Sequence, residues 1–242
     1  MNYILKISTT LLLSLALFSC GSGDGNKKNS EGDLNLDKVL SKVDESRESG
    51  GKKAEAIVKK YQGALDQLFT KEMAAAVTGY DVAEVEENYS KTMSNPDYHD
   101  ISYSWDKGRV SKIKAGAMNI EVPSPDILSL SWFRTTTLEQ FKHNYHTPTE
   151  EELQRMEEAL SENTADNPNG KLAVEMAKGF ADGLTFDDVP GVGDYAVWNN
   201  KAKELNTYYK GVQFQLRIVV SDDVEVNKEK SIALAKMIVE KL

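Results

Sequence analysis

Among the residue types that do chemistry, this chain of 242 residues holds one cysteine, Cys20, and three histidines, His99, His143 and His146. His143 and His146 stand three apart in His-Asn-Tyr-His, a spacing that could turn both rings toward one cation. A zinc site needs a third protein ligand, and no further cysteine supplies one. The pair is therefore expected to face solvent where a helix meets a loop, and His99, beside Asp100, is read as a loop residue. The acidic pairs Asp187-Asp188 and Asp222-Asp223 offer oxygens of the kind Ca²⁺ takes, but lack the alternating acids and distal glutamate of a dedicated loop. Asp222, with Glu225 three residues on, is expected to cap a helix. Gly191-Val192-Gly193 precedes a strand, so no helix N-terminus would meet a phosphate there, and it reads as a tight loop entering a sheet. Neither a Gly-x-Ser-x-Gly elbow nor a P-loop occurs. No catalytic residue, metal or cofactor is assigned.

The aromatic residues are the better candidates for binding. Trp105, Trp132, Trp198, Tyr208 and Tyr209 all fall on expected strands, where core packing accounts for most of them. Successive strand residues point to opposite faces, so Tyr208 and Tyr209 cannot share one layer. Tyr208, Tyr209 and Trp198 are the residues expected to line a binding surface.

Composition bounds the partners. A hydrophobic content of 40% with 28% charged residues fits a globular body and argues against a polytopic membrane protein or a disordered chain. Lys and Arg number 29 against 38 Asp and Glu, a net charge of −9. Nucleic-acid affinity comes from cations displacing counterions, so such a partner is disfavoured.

The N-terminus reads as an export signal over residues 1–19. Lys6 gives the cationic start, and eight of the twelve residues Ile7 to Phe18 are apolar. As a helix this run would reach about 18 Å against a hydrocarbon core of about 30 Å, too short to span. Leu17-Phe18-Ser19-Cys20 resembles the lipobox of bacterial lipoprotein precursors, with Phe18 bulkier than the usual residue. The resemblance implies diacylglyceryl transfer to the Cys20 thiol, cleavage before Cys20 and acylation of the new amine. A lone thiol in an oxidising compartment cannot close an internal disulfide, and lipidation removes it. Two or three acyl chains would hold the chain on a bilayer essentially permanently. Loss of Lys6 with the leader takes the charge from −9 to −10, so the body itself is expected to be repelled by anionic headgroups. Residues 20–33 then form a tether, since Gly21 to Asp33 hold no apolar residue; thirteen such residues span about 20 Å.

The elements that would carry these residues follow from periodicity. Leu34, Leu36, Val39, Leu40 and Val43, then Ala54, Ile57, Val58, Tyr61, Ala64, Leu65 and Leu68, recur at helical spacing on either side of Ser49-Gly50-Gly51. A short helix is expected over Lys71 to Thr78, between Thr70 as N-cap and Gly79. Ile101, Tyr103 and Trp105 alternate with polar residues, as do Leu128, Leu130 and Trp132, and both runs read as strands joined by a polar connection. Helices are expected from Leu138 to Tyr145, from Glu150 to Leu160 behind a Thr149–Glu152 capping box, and along Leu172, Met176, Phe180 and Leu184, with a loop over 163–170. Tyr195 to Trp198, Leu205 to Tyr209 and Val212 to Val220 read as an antiparallel meander. A closing helix follows, with Ile232, Ala235, Val239 and Leu242 as its buried stripe and Leu234 and Ile238 alongside.

The fold class expected is α+β, an antiparallel sheet packed with helices, with a helical segment at 34–62 and the globular domain at 63–242. Residues 186–242 look like the end of many small envelope lipoproteins of uncharacterised role, which implies a helix-on-sheet fold and transfers no catalytic residue. The order of strands then helix in the two halves hints at a repeat without residue-level support. The expected function is a lipid-anchored cell-envelope lipoprotein, a non-catalytic binding or assembly module. Its partners are the membrane through Cys20 and an envelope protein or small ligand; in a Gram-negative cell the address is the outer membrane, with the body in the periplasm or at the cell surface. The alternative is an envelope hydrolase or metal-dependent enzyme using scattered carboxylates.

Overall fold

The computed structural model describes residues 51–115, 118–164, 179 and 183–242. The expected leader, tether and first helix, and most of the helix expected from Leu172 to Leu184, lie outside the described residues; Leu184 itself is in a loop.

Helices α1 (Gly51–Tyr61), α2 (Leu65–Leu68) and α3 (Lys71–Thr78) open the described chain. Strands β1 (Glu86–Ser90), β2 (Asp100–Trp105), β3 (Val110–Ala115), β4 (Met118–Pro123) and β5 (Asp126–Thr135) follow. Then come α4 (Leu138–Asn144), α5 (Glu150–Thr164), β6 (Phe186–Asp188), β7 (Tyr195–Asn199), β8 (Glu204–Tyr209), β9 (Val212–Val219) and α6 (Val224–Lys241). Seven strands form one antiparallel sheet in the order β1-β2-β5-β9-β8-β7-β6, and β3 and β4 form a separate hairpin. The fold is α+β, as its alternating strands and periodic helices predict.

Register assigns the faces. Ile101 opposes Leu130, which opposes Leu216, which opposes Leu205; Tyr103 joins Leu128 and Ile218. These side chains are buried and form one apolar face. Against it pack α1, α2, α3 and α6: Tyr61 meets Phe133 edge-on at 6.2 Å and Phe69 meets Tyr103 at 4.9 Å. Ala54, Val58 and Tyr61 of α1 belong to the same core, so the described part of the 34–62 segment is built into the globular body.

Local chemistry fixes the ends of these elements. Thr70 accepts from the Met73 amide at the start of α3, and Gly79 closes it at φ 79, a left-handed cap that costs glycine little. Thr137 and Gln140 make a reciprocal capping box for α4. The predicted box between Thr149 and Glu152 is present at α5, with the Thr149 amide donating to Glu152 at 2.8 Å.

Several expectations are corrected. The residue capping α6 is Asp223, which accepts from the Glu225 amide at 2.9 Å, whereas Asp222 reaches Arg109 at 3.3 Å. The buried side of α6 is Asn227, Ser231, Leu234, Ala235 and Ile238, while Ile232, Val239 and Leu242 are only partly covered. Asn227 turns the helix: its Oδ1 accepts from the Val220 and Ser221 amides and its Nδ2 donates to the Ser221 carbonyl at 2.7 Å. The helix expected from Ala54 to Leu68 is broken at Gly63, φ 80. The connection expected between the first two predicted strands is the β3–β4 hairpin, and polar β1 and three-residue β6 are edge strands that show no apolar alternation. Trp132, expected to alternate inward with Leu128 and Leu130, sits in a bulge at φ 54, and Phe133 takes the core position instead.

One buried charge joins the hairpin to the sheet. Asp126 is 2% exposed; it accepts from Arg109 Nε at 2.8 Å and from the Tyr80 hydroxyl at 2.5 Å. Arg109 also donates to the Val219 carbonyl at 2.9 Å. Burial, and then the Asp126 carboxylate, push the Tyr80 phenol up to about 12. Removing one partner of such a pair strands the other, which typically costs about 3–5 kcal/mol. Asp126→Ala is accordingly expected to lower unfolding stability by that amount in urea denaturation, with faster amide exchange at the base of the hairpin.

Candidate functional site

The second face of the sheet is polar where the first is apolar. Period-two geometry sends Ser129 and Ser131 of β5, Gln213, Gln215 and Arg217 of β9, and Glu204, Asn206 and Tyr208 of β8 to this side. Helix α4 covers part of it: Phe141, fully buried, lies 5.9 Å from Tyr208, 6.0 Å from Tyr195 and 4.8 Å from Tyr145.

The polar side chains make a chain of hydrogen bonds. Ser131 Oγ donates to Gln215 Oε1 at 3.2 Å, and Gln215 Nε2 donates to Glu204 Oε2 at 2.8 Å and Asn206 Oδ1 at 3.1 Å. Gln213 Nε2 donates to the Tyr145 hydroxyl at 3.4 Å. Two amide atoms are left over: Asn206 Nδ2, a donor, and Gln213 Oε1, an acceptor, are buried and have no hydrogen-bond partner among the described residues. Both residues are 1% exposed. They stand one pair apart on adjacent strands, because Asn206 opposes Gln215 and Tyr208 opposes Gln213. A buried polar atom without a partner costs about 1–3 kcal/mol, so two on one face need a physical reason.

Electrostatics point the same way. Burial pushes the Glu204 carboxyl above the usual carboxylate range, against the pull of the Arg217 guanidinium opposite it. Burial likewise raises the Tyr145 phenol, opposed by Arg134 and the Gln213 bond. The cluster is thus a hydrogen-bonding surface of amides, hydroxyls and one acid held toward its neutral form.

The residues singled out in the sequence are dispersed around this cluster. Tyr208 lies on the polar face against Phe141, and Tyr209 on the opposite side beneath the Lys210 ammonium at 4.4 Å from its ring; both are half-buried. Trp198 is fully buried in the core and offers no surface, which corrects its place among the binding candidates. The histidines stand elsewhere. His146 Nδ1 contacts the His143 carbonyl at 2.7 Å and its Nε2 the Glu152 carboxylate at 3.0 Å, so both ring nitrogens are engaged. Its ring stacks on His143 at 5.9 Å. His99 Nε2 contacts the Met93 carbonyl at 2.9 Å. Asp187 lies 3.9 Å from Lys228 and Asp188 accepts from the Tyr195 hydroxyl at 2.6 Å, on opposite sides of β6. Among the described residues no group of three or more His, Cys, Asp or Glu is placed to hold a metal ion.

Residues Asp188 to Ala196 wrap a small cavity of about 170 Å³. Gly193, φ 58, comes so close to β8 that a Cβ would sit 2.5 Å from the Tyr208 carbonyl, which accepts from the Asp194 amide at 3.0 Å. The glycine there serves a close approach of backbone to backbone.

Glu204, Asn206, Gln213, Gln215, Ser131 and Tyr145 are the site residues that sequence reasoning missed. The available signal is the run Val212 to Ile218, whose outward positions carry amides before any charge. Comparison with protein-family models, curated proteins and solved structures finds no match for this chain.

Glu204 gives a pH test. A folded-state carboxyl raised above its unfolded value contributes most below the unfolded pKa, and that contribution is lost as pH rises through the folded one. Wild-type stability is therefore expected to fall from about pH 4.5 upward relative to Glu204→Gln, which keeps the oxygen that accepts from Gln215. At pH 7 the variant should melt higher than wild type, and the difference should shrink as pH falls below about 4.5, read by thermal denaturation across pH.

Proposed function

We propose that this protein is a lipid-anchored cell-envelope lipoprotein whose body binds a small polar ligand at the second face of its sheet. The anchor reading rests on the lipobox Leu17-Phe18-Ser19-Cys20 and on a tether without apolar residues. Among the described residues no helix is long and apolar enough to cross a membrane. Acyl chains on Cys20 would supply the attachment. The binding reading is carried by one observation, the buried Asn206 Nδ2 and Gln213 Oε1 without partners among the described residues. A donor and an acceptor one register pair apart on adjacent strands ask for a ligand that carries both an acceptor and a donor. An acid biased toward neutrality in the same cluster favours an uncharged ligand over an anion.

The runner-up is an envelope hydrolase using carboxylates, favoured by the raised Glu204, since a carboxyl with a lifted pKa can act as a general acid. Under that reading Glu204→Gln abolishes turnover and leaves binding intact; under the binding reading no turnover depends on it.

Two outcomes are expected. Cys20→Ala should move the protein from the membrane fraction to the soluble fraction, and wild-type protein should carry an acylated N-terminal cysteine by mass spectrometry. Gln213→Leu removes the stranded acceptor together with the bond to Tyr145, so the variant should lose the thermal shift given by uncharged amide and hydroxyl probes such as N-acetylglycinamide and N-acetylglucosamine. A variant that gains stability while wild type responds to no such probe would reduce the pair to a packing fault.

A further inference from the structure

The β3–β4 hairpin forms a sheet of its own, joined to the main sheet at its base by Arg109, which bonds Asp126 and the Val219 carbonyl, while the Ser124 amide donates to the Arg109 carbonyl at 2.9 Å across the two arms. Six residues per strand carry it about 20 Å outward. Its two sides differ. Ser111 opposes Val122 and Ile113 opposes Ile120 on one side; Lys112 opposes Glu121 and Lys114 opposes Asn119 on the other. Ile113 is 49% and Ile120 42% exposed, a cross-strand isoleucine pair facing solvent. Residues 107–123 hold four cations, Lys107, Arg109, Lys112 and Lys114, against the single anion Glu121, in a chain of net charge −9. Lys107 is bonded to Glu84 and Arg109 to Asp126 at the base, while Lys112 and its partner Glu121 are both largely exposed farther out.

We propose that this hairpin lies in the headgroup region of an anionic bilayer, with the Ile113–Ile120 side toward the acyl chains and Lys112 and Lys114 among the phosphates. The proposal rests on the lipid anchor at Cys20. Two physical arguments select the occupant. A two-stranded face about 20 Å long and two strand spacings wide offers on the order of 200 Å², against roughly 800 Å² per partner in a stable complex, too little for a second copy or a soluble protein. A chain already tethered to the bilayer needs no such area, because its effective concentration at the surface is high. Charge then selects orientation: an acidic body is repelled by anionic lipid, and the hairpin presents its outer cations and apolar side chains together.

The test uses the full-length acylated protein in vesicles of phosphatidylcholine and phosphatidylglycerol containing brominated lipid. Ile120→Trp places a reporter at an exposed position, with unchanged circular dichroism as the folding control. Of the three native tryptophans Trp105 and Trp198 are fully buried and Trp132 is half-buried, and all three are present in the wild type, which supplies the background. The expected result is emission from the variant quenched about twofold more than wild type, with the excess lost in Lys112→Glu/Lys114→Glu although that protein still floats with the vesicles. Flotation without excess quenching overturns the hairpin proposal and leaves the anchor standing. Failure to float overturns the anchor and this inference with it. A detergent-solubilised dimer that Ile113→Asp dissociates would assign the face to a second copy and overturn the proposal too.

Discussion

The antiparallel pairing of β5 with β9 divides this molecule into two chemistries. Because side chains alternate along a strand, a single register puts Leu128, Leu130, Leu216 and Ile218 on one side and Ser129, Ser131, Gln215 and Arg217 on the other. The helices of both ends of the chain follow from that division. α1 to α3 precede the sheet and α6 ends it, yet all cover the same apolar side, as the only arrangement that buries Leu130 and Leu216 together with Tyr61, Phe69 and Leu234. A slip of one residue would turn every one of these side chains to water.

The polar side is the less stable half of the bargain. Helix α4 reaches it through Phe141 against Tyr208, and among the described residues the amide network stops short of satisfying every member. A core built for stability alone would place Leu or Val at 206 and 213, as it does at Leu205 and Val212 one residue away. Asparagine and glutamine there, beside an acid whose ionised form burial opposes, cost stability that Leu or Val would not. The apolar layer supplies the stability that makes such a face tolerable.

Much of this could be read along the chain. Thr70 and Gly79 bracket α3 as caps should, and the alternation of Val212, Phe214, Leu216 and Ile218 announces a half-buried strand. The polar partners of that alternation are visible in the sequence, but their burial is not, because Tyr145 and Phe141, which reach this face at Gln213 and Tyr208, stand some seventy residues away. The hairpin escaped for a different reason. Lys112-Ile113-Lys114 and Asn119-Ile120-Glu121 do alternate, yet each has a single strongly apolar residue at its centre, too little to separate a strand from a polar loop without its partner. The stripe of α6 was misplaced by one polar residue: Asn227 buries itself to bind three backbone groups, a role no hydrophobic count anticipates.

The bulge at Trp132 shows how the two faces are kept distinct to the end of β5. Ser131 opposes Gln215, and with unbroken alternation Phe133 would oppose Gln213 on the polar side while Trp132 entered the core. The structure inserts one residue instead, so that Arg134 opposes Gln213 and Phe133, 1% exposed, packs on Tyr61. The cost is a bulky residue in the left-handed region, φ 54, where L side chains are strained. What offsets it is local: Trp132 lies edge-on to Tyr98 at 5.2 Å and beneath the Arg134 guanidinium at 4.9 Å. A strained turn of the chain thereby sets a cation, not a ring, beside Gln213 and Tyr145, where it lowers the Tyr145 phenol that burial raises. The irregularity in the strand and the polarity of the site are one design decision, made by the register.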